Sequence, residues 1–274
     1  MKQYLDELRY VLEHGTDRID RTKVGTRTVF ARRMEFDLSL GFPILTSKLV
    51  AFGLVKKELL WFLRGSRDIT ELQKQGCYIW DANAYAPSWL PKAEFPGDVG
   101  IHYGVHWRAW RSAYSDKTLD QIAGVIRRIK KDPSSRRLIV TAWDPATIGK
   151  TALPPCHMFF QFFVDNGFLS MQMYQRSCDM FLGVPFNISS YCLLLSMIAQ
   201  VIGLKPGRFI HILGDTHIYL NHVDQVREQL SRGTLPLPSL ALDPKVMDID
   251  AFTLDDLKLE NYQHHSAIKA PMAV

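Results

Sequence analysis

A cysteine followed by a histidine, Cys156-His157, is the first candidate for nucleophilic chemistry in this chain of 274 residues. A thiol attacks only as the thiolate, and nearby cations favour that form by lowering the thiol's pKa. The chain offers such a cation in Arg176, within YQRSCD at 174–179. On its own, however, a cysteine beside a histidine is more typical of a buried packing residue.

Two further patterns are typical of ligand binding. Arg136 and Arg137 are adjacent, and paired guanidiniums suit phosphate because each planar fork can donate two hydrogen bonds. A solvated entry to a strand would explain the same pair. Glu58 lies among mostly apolar neighbours in 54–63, where a carboxylate is costly unless it is satisfied, so it indicates a functional position.

Taken together, eight segments resemble the thymidylate synthase family in order and spacing. They are DRT at 20–22, ELLWFL at 58–63, IWD at 79–81, PPCH at 154–157, YQRSCD at 174–179, FLGVPFNI at 181–188, GDTHIY at 214–219 and IKAPMAV at 268–274. The resemblance extends from end to end. It implies reductive methylation of dUMP to dTMP, with 5,10-methylene-tetrahydrofolate as the carbon donor and reductant and dihydrofolate as the second product.

The resemblance also implies roles at the reacting centre. Cys156 would attack C6 of uracil and so make C5 nucleophilic, because C5 is otherwise too electron-poor to capture a methylene unit. Glu58, Tyr103 and His157 would organise the waters that move protons. The implied catalytic residues are Cys156, Glu58, Tyr103, His157, Asn187 and Asp179.

The nucleotide would be held mainly through its phosphate. Arg176 and Arg21 would bind the phosphate together with Arg136 and Arg137 of the other subunit, which makes an obligate homodimer. Ser177 would support the phosphate. The implied substrate-binding residues are Arg21, Arg136, Arg137, Arg176, Ser177, Asn187, His217 and Tyr219. His217 and Tyr219 would bind the deoxyribose 3′-OH, although both could simply satisfy backbone groups at the start of the last amphipathic helix.

Asn187 would distinguish the base. Its amide can donate to uracil O4 and accept from uracil N3–H. Cytosine presents an amine and a bare N3, which would need the reverse arrangement. Asn187 therefore favours dUMP over dCMP, whereas a capping or core asparagine is the plain alternative.

The folate would lie against a largely apolar wall. Trp80 would shield the reactive methylene from water, Asp179 would bind the pterin ring, and the carboxylate of Val274 would close the site. The implied cofactor-binding residues are Lys48, Ile79, Trp80, Leu153, Asp179, Gly183, Phe186, Ala273 and Val274. No metal is expected, because no acidic or thiol partner stands at ligand spacing from the histidines.

Three positions depart from the family pattern. Leu49 stands where a second basic residue usually follows Lys48, which would weaken binding of the folate glutamate tail. His102 and His106 replace a valine and a glutamine around Tyr103. Either they alter proton handling or they are substitutions behind the site, and the second interpretation is favoured.

The elements that must position these residues follow from periodicity. Apolar spacing predicts helices near the N-terminus (Leu5, Leu8, Val11), at 54–63, at 119–131, at 191–203 and from Ile218 to Leu230. Strands are predicted at 26–36, 137–143, 159–164, 168–174 and 208–213, with a hairpin turn at 165–167. This mixture predicts an α+β fold. The family implies a large mixed sheet flanked by helices, one sheet face forming the homodimer interface, and a single domain over 1–274 with a variable small subdomain at about 66–98.

Composition narrows the class further. The net charge is +5, a mild excess that suits an anionic small ligand and is weak evidence for nucleic acid, so a nucleic-acid partner is not expected. The run at 191–203 is too short to span a bilayer, so no membrane association is expected. The N-terminus carries no signal-peptide pattern, and the four cysteines form no Cys-x-x-Cys pair. These features favour a cytoplasmic protein with reduced thiols.

Three other functions remain open. A dUMP 5-hydroxymethylase on the same scaffold would share the Cys156 attack and the folate methylene but finish with water. A non-catalytic module binding nucleotide or RNA lacks a basic stripe to support it. A Cys–His hydrolase would need an oxyanion-hole motif, and none is apparent.

Overall fold

A six-stranded mixed sheet forms the centre of the structure, a computed structural model that describes residues 1–19, 23–112 and 115–272. The strand order is β1-β2-β8-β7-β6-β5, and all neighbours are antiparallel except β7 and β8, which are parallel. The sheet strands are β1 (Thr16–Arg18), β2 (Thr26–Asp37), β5 (Ile139–Thr141), β6 (His157–Asp165), β7 (Phe168–Asp179) and β8 (Lys205–Tyr219). Two ribbons pair β3 (Trp110–Arg111) with β4 (Thr118–Leu119) and β9 (Ser239–Leu242) with β10 (Leu257–Glu260).

Helices accompany this sheet. In the described residues the α-helices are α1 (Lys2–His14), α2 (Phe52–Leu63), α3 (Thr70–Gln73), α4 (Asp81–Ala84), α5 (Tyr103–Ala109), α6 (Gln121–Lys131), α7 (Gly183–Ile202) and α8 (Val223–Ser231). Short 3₁₀ helices occupy Leu38–Leu40, Leu90–Lys92, Pro145–Lys150, Leu220–His222, Ile249–Ala251 and Leu254–Asp256. The α+β class with a large mixed sheet flanked by helices is confirmed.

Helix α7 is the buried helix that packs on the sheet. It begins at Gly183, well before the predicted start, and its last residue is Ile202. Gly203 follows as the cap, with a left-handed φ of 75°. Its length and hydropathy would suit a membrane span, but 78% of its apolar window is buried inside the protein. The predicted core helix is therefore confirmed. Asp179, the last residue of β7, stabilises the turn that leads into this helix. Its Oδ1 accepts hydrogen bonds from the backbone N–H groups of Phe181 and Leu182.

The β6–β7 hairpin matches its prediction. The turn residues Asn166 and Gly167 both have positive φ, 48° and 80°, which the right-handed twist of a two-residue hairpin requires. The hairpin carries Cys156 immediately before one strand and Arg176 near the end of the other, so the two candidate residues are brought side by side.

Three boundary predictions were wrong. The last amphipathic helix does not begin at Ile218, because β8 continues to Tyr219 and α8 starts at Val223. Pairing with β2 and β7 extends the strand: His217 is opposite both Thr28 and Asp179. Leu119 belongs to a ribbon, since Asp120 caps α6 by accepting from the Ala123 N–H. The strand predicted at 137–143 is reduced to β5.

The sheet face away from α7 exposes apolar side chains. Phe163 is 66% exposed and Ile139 45%. An apolar sheet face of this kind is typical of an interface. The dimer interface on this face and the subdomain at 66–98 both stay predictions.

Gly214 allows β8 to approach β7 closely beside Arg176. A Cβ at this position would lie 2.9 Å from the Arg176 carbonyl oxygen and 2.9 Å from the Tyr174 hydroxyl. Backbone cannot yield as a flexible side chain does. The close contact of the two parallel strands therefore depends on glycine here.

We expect Gly214→Ala to destabilise the protein by about 1–3 kcal/mol, the range typical of forced overpacking. The measurement is the urea unfolding midpoint at fixed protein concentration. Gly233→Ala is the matched control, because no heavy atom lies within 4 Å of the added Cβ. Equal midpoints for the two variants would show that the strand approach tolerates a side chain.

Candidate active site

A cleft of about 690 Å³ opens where the ends of β7 and β8 meet α2, α5 and the start of α7. The predicted residues that line it are Glu58, Ile79, Trp80, Tyr103, Leu153, Cys156, His157, Arg176, Ser177, Asp179, Gly183, Asn187, His217 and Tyr219. These residues are separated by up to 161 positions in sequence. The fold thus brings most of the predicted site into one cavity.

Cys156 is the accessible thiol of the chain. The other three cysteines, Cys77, Cys178 and Cys192, are buried, and none of the four forms a disulfide. Burial raises the pKa of each of these three thiols, which makes them poor nucleophiles. Cys178 also donates to the Gln175 carbonyl, a contact that indicates a structural role.

The Arg176 guanidinium lies against Cys156. Its Nη2 is 3.9 Å from Sγ, while Nε and Nη2 donate to the carbonyls of Pro155 and Pro154 at 2.8 and 2.9 Å. The guanidinium also lies 5.3 Å from the centre of the Trp143 ring. These contacts hold a permanent positive charge beside the sulfur, where it favours the thiolate.

Tyr103 and His157 form the wall beside the thiol. The Tyr103 hydroxyl accepts from the Cys156 N–H at 2.7 Å, and its ring stacks on His157 with centroids 3.9 Å apart. His157 Nδ1 lies 2.7 Å from the Tyr191 hydroxyl. Burial, together with the charges of His211 and Arg176, lowers the pKa of His157 to about 3. This imidazole is therefore neutral at physiological pH and can organise water but does not supply a cation.

Glu58 is the titratable carboxyl of the cleft that is poised near neutrality. It lies on α2, and its Oε1 accepts from the Trp80 indole N–H at 2.8 Å. Burial raises the pKa of Glu58 to about 7, and the hydrogen bond from Trp80 opposes that rise. A carboxyl with this pKa can both donate and accept a proton at working pH.

His217 and Tyr219 lie on β8 at the sheet end of the cleft. Asp215 Oδ1 accepts a hydrogen bond from His217 Nδ1 at 2.9 Å, which fixes the position of the imidazole at this end of the cleft. Ser177, on β7, lies opposite Asp215 across the parallel pair. Hydroxyl and imidazole groups that can bind the hydroxyl of a sugar therefore gather at this end.

Asp179, Gly183 and Asn187 lie at the junction of β7 and α7. Asp179 Oδ1 accepts from the Phe181 and Leu182 N–H groups in the turn that precedes the helix, and the residue lines the cleft. Ile79, Trp80 and Leu153 supply an apolar wall on the other side. A flat heterocycle bearing N–H groups fits between them.

Two predicted folate contacts do not line the cleft. Lys48 is buried behind it: its ammonium donates to the Phe181 carbonyl and lies 3.4 Å from the centre of the Phe181 ring. Burial lowers the pKa of Lys48 to about 7, which nearby Asp179 partly opposes. Phe186 is partly buried and packs against the hydrophobic core. In this arrangement neither side chain reaches a ligand in the cleft.

The other five predicted residues either do not line this cleft or fall outside the part of the chain that the structure describes. Arg136 and Arg137 are exposed on the approach to edge strand β5 and do not line this cleft. Arg21, Ala273 and Val274 are outside the described residues. In the described ranges, no three His, Cys, Asp or Glu side chains are grouped to hold a metal ion.

The departures from the family pattern lie behind the site or on the surface. His102 is buried, stacks on Trp61 with centroids 4.5 Å apart and bonds to the Ser66 carbonyl through Nε2. Burial lowers its pKa to about 3. His106 is buried against Thr147 and Trp110, and Leu49 is 39% exposed. Both histidines pack outside the cleft lining, as the favoured interpretation expected.

Sequence reasoning assigned no role to several residues that support the site. Gln175 and Asp215 lie inside YQRSCD and GDTHIY, so the motifs themselves were the available signal. Trp143 and Tyr191 lie in no recognised segment. Their contacts with Arg176 and His157 arise from tertiary packing, which local patterns do not encode.

We expect Trp80→Phe to raise the pKa of Glu58 above about 7, because the substitution removes the N–H donor that stabilises the carboxylate. Carboxyl ¹³C NMR of glutamate-labelled protein over a pH titration measures this value. Trp110→Phe, whose ring contacts His106, is the control and should leave the titration of Glu58 in place. A fall in the pKa of Glu58 in Trp80→Phe would contradict the assigned hydrogen bond.

Comparison with known protein families agrees with this geometry. A family model described as thymidylate synthase matches residues 2–274. The match covers every segment that carried the resemblance. The chain therefore belongs to the thymidylate synthase family of methyltransferase enzymes.

Proposed function

We propose that this protein converts dUMP to dTMP with 5,10-methylene-tetrahydrofolate as co-substrate. Membership of the thymidylate synthase family supports methylation of dUMP in the broad sense. The observation that carries the proposal is the Arg176 guanidinium held 3.9 Å from the accessible Cys156 thiol, in a cleft lined by most of the other predicted residues.

Cys156 begins the reaction by adding its sulfur to C6 of the uracil ring. As the S–C6 bond forms, the electron pair of the C5–C6 double bond moves into the C5–C4–O4 system. C5 thereby becomes the nucleophile. Arg176 stabilises the thiolate before attack. Tyr103 fixes the Cys156 backbone through its N–H group and thereby aims the sulfur.

Asn187 binds the nucleotide and Asp179 binds the folate. Asn187 takes the O4 and N3–H edge of the base, and Asp179 uses its remaining carboxylate oxygen for ring N–H groups of the pterin. Ser177 and Arg176 hold the phosphate, while His217 and Tyr219 bind the 3′-hydroxyl. The apolar wall and polar junction described above fit both heterocycles.

When bound, methylene-tetrahydrofolate supplies the one-carbon unit and the hydride. Glu58 handles protons around the base and folate because its pKa is near 7. His157, held neutral, orders the water between them. Loss of the C5 proton would let the bond between the transferred carbon and the folate nitrogen break, leaving a methylene group at C5. The hydride that the folate supplies would add to this methylene, re-form the C5–C6 double bond and expel Cys156 as a thiolate.

Trp80 keeps the reacting carbon dry. Its ring packs against Trp61, Phe62 and Tyr103, so the wall beside the base is rigid and apolar. The C-terminal carboxylate of Val274 closes over this wall and excludes water. Exclusion of water favours hydride transfer over hydration and hence dTMP over hydroxymethyl-dUMP.

A homodimer completes the phosphate site. Arg136 and Arg137 are exposed beside the apolar sheet face, so a partner docked on that face gains access to them. We assign the phosphate to Arg21 and Arg176 of one subunit and Arg136 and Arg137 of the other. Lys48 contacts the folate tail only after turning out of its buried position.

The cysteines, the long apolar helix and the net charge bear on the cellular location and the partners of the protein. Four cysteines that form no disulfide suit a reducing cytoplasm. The long apolar helix lies mostly inside the protein rather than facing lipid. The cleft fits a nucleotide and a folate, and the mild positive charge gives no argument for nucleic acid.

Product analysis tests the proposed function. We expect mass spectrometry to find dTMP, with dihydrofolate as the second product, when the protein is incubated with dUMP and methylene-tetrahydrofolate. Cys156→Ser, which retains the cleft but loses the soft nucleophile, should form no product. Hydroxymethyl-dUMP with tetrahydrofolate would instead identify the hydroxymethylase, and recovery of unchanged dUMP from the intact protein would contradict both reactions.

A further inference from the structure

A buried hydrogen-bond relay runs from β8 through β7 to α7 behind the base-reading residue. His211 Nε2 lies 2.9 Å from Gln175 Oε1, and Gln175 Nε2 donates to Asn187 Oδ1 at 3.1 Å. His211 and Gln175 are both buried. They are diagonal neighbours across the parallel strands, since Gln175 is opposite Leu213. The relay thus joins the sheet to the amide that faces the cleft.

The backbone fixes the orientation of Gln175. Its Nε2 also donates to the Ser177 carbonyl at 3.0 Å, and a backbone carbonyl can only accept. If the Gln175 amide were turned over, its oxygen would face the Ser177 carbonyl oxygen. Nε2 must therefore point toward Ser177 and Asn187, and Oε1 must point toward His211.

This orientation fixes the proton on His211. Gln175 Oε1 is an acceptor only, so the ring nitrogen facing it, Nε2, must carry the hydrogen. Burial lowers the pKa of His211 to about 3, so the ring is neutral and holds one proton. His211 Nδ1 is buried and has no hydrogen-bond partner within the described residues. A bare lone pair there costs less than an orphaned N–H, which again favours the Nε2–H tautomer.

An asparagine amide alone does not distinguish uracil from cytosine. With Oδ1 facing N3–H and Nδ2 facing O4 it fits uracil. Turned over, it would accept from the cytosine amine and donate to the bare N3. In the turned-over state, however, Asn187 Nδ2 would face Gln175 Nε2, which sets two donors against each other.

We propose that His211 is a positioning residue for pyrimidine selectivity: by donating to Gln175 it locks the Asn187 amide in the orientation that accepts uracil and excludes cytosine. The inference rests on the proposed function, because it takes Asn187 as the base-reading residue. His211 itself contacts neither base nor folate and acts through Gln175. Removing its donor frees the Gln175 and Asn187 amides to turn over together with small local shifts.

The test is the ratio of dissociation constants for dCMP and dUMP, measured by calorimetry. In His211→Phe we expect this ratio to fall by roughly tenfold, the effect of one hydrogen bond lost from the favoured orientation. His211→Gln places an amide N–H near the position of Nε2 and should restore the ratio. His106→Phe, which alters another buried histidine, is the control for packing and should leave the ratio in place.

A merely structural role would weaken both nucleotides equally, so an unchanged ratio in folded His211→Phe overturns the relay. ¹⁵N NMR of the wild-type ring tests the same point without a variant, because the relay requires protonation at Nε2 and an Nδ1–H tautomer contradicts it. An unchanged ratio in Asn187→Asp would remove Asn187 as the base reader and the relay with it. Methyl transfer to dUMP, measured separately, tests the proposed function independently of that result.

Discussion

The contact between the Arg176 guanidinium and the Cys156 sulfur is the interaction on which the rest of the site depends. Arginine keeps its charge at every working pH, so the sulfur experiences a constant field. The hairpin secures the pair, because the Arg176 N–H donates to the Cys156 carbonyl at 2.8 Å. Side-chain bonds to two proline carbonyls then leave the guanidinium little freedom. Charge and nucleophile are thus aligned before substrate arrives.

Three histidines at or behind the cleft wall are kept neutral by burial. His157, His102 and His211 all have their pKa lowered to about 3. Neutral imidazoles can orient water and amides without competing with Arg176 for an anion. Glu58 is different, because burial raises its pKa to about 7. The site therefore concentrates its proton-transfer capacity in one carboxyl and uses its histidines for positioning.

The fold and the cleft could be predicted from the sequence to different depths. The β6–β7 hairpin and the core helix followed from turn residues and apolar runs, and the family motifs named most of the cleft lining. The end of β8 was missed because pairing on both sides overrides the helical spacing after Ile218. Lys48 was placed in the folate site, but the structure buries its ammonium against Phe181. Such outcomes depend on contacts between distant segments.

The residues that hold the site residues in place from behind the cleft were the hardest to predict from the sequence. Gln175 was visible in a motif, yet its orientation depends on the Ser177 carbonyl and on His211, which lies 36 positions away in sequence. Trp143 and Tyr191 likewise become informative only in three dimensions. Motifs therefore identified the residues that face the ligands, while the structure identified those that hold them in register.

The most direct measurement of the central claim is the intact mass of the protein after incubation with 5-fluoro-dUMP and methylene-tetrahydrofolate. Fluorine at C5 cannot leave as a cation, so a reaction that begins with addition of Cys156 to C6 should stop as a covalent complex of protein, nucleotide and folate. The account predicts this mass, with peptide mapping placing the modification on Cys156. A protein that keeps its unmodified mass, or carries the adduct on another residue, would contradict it.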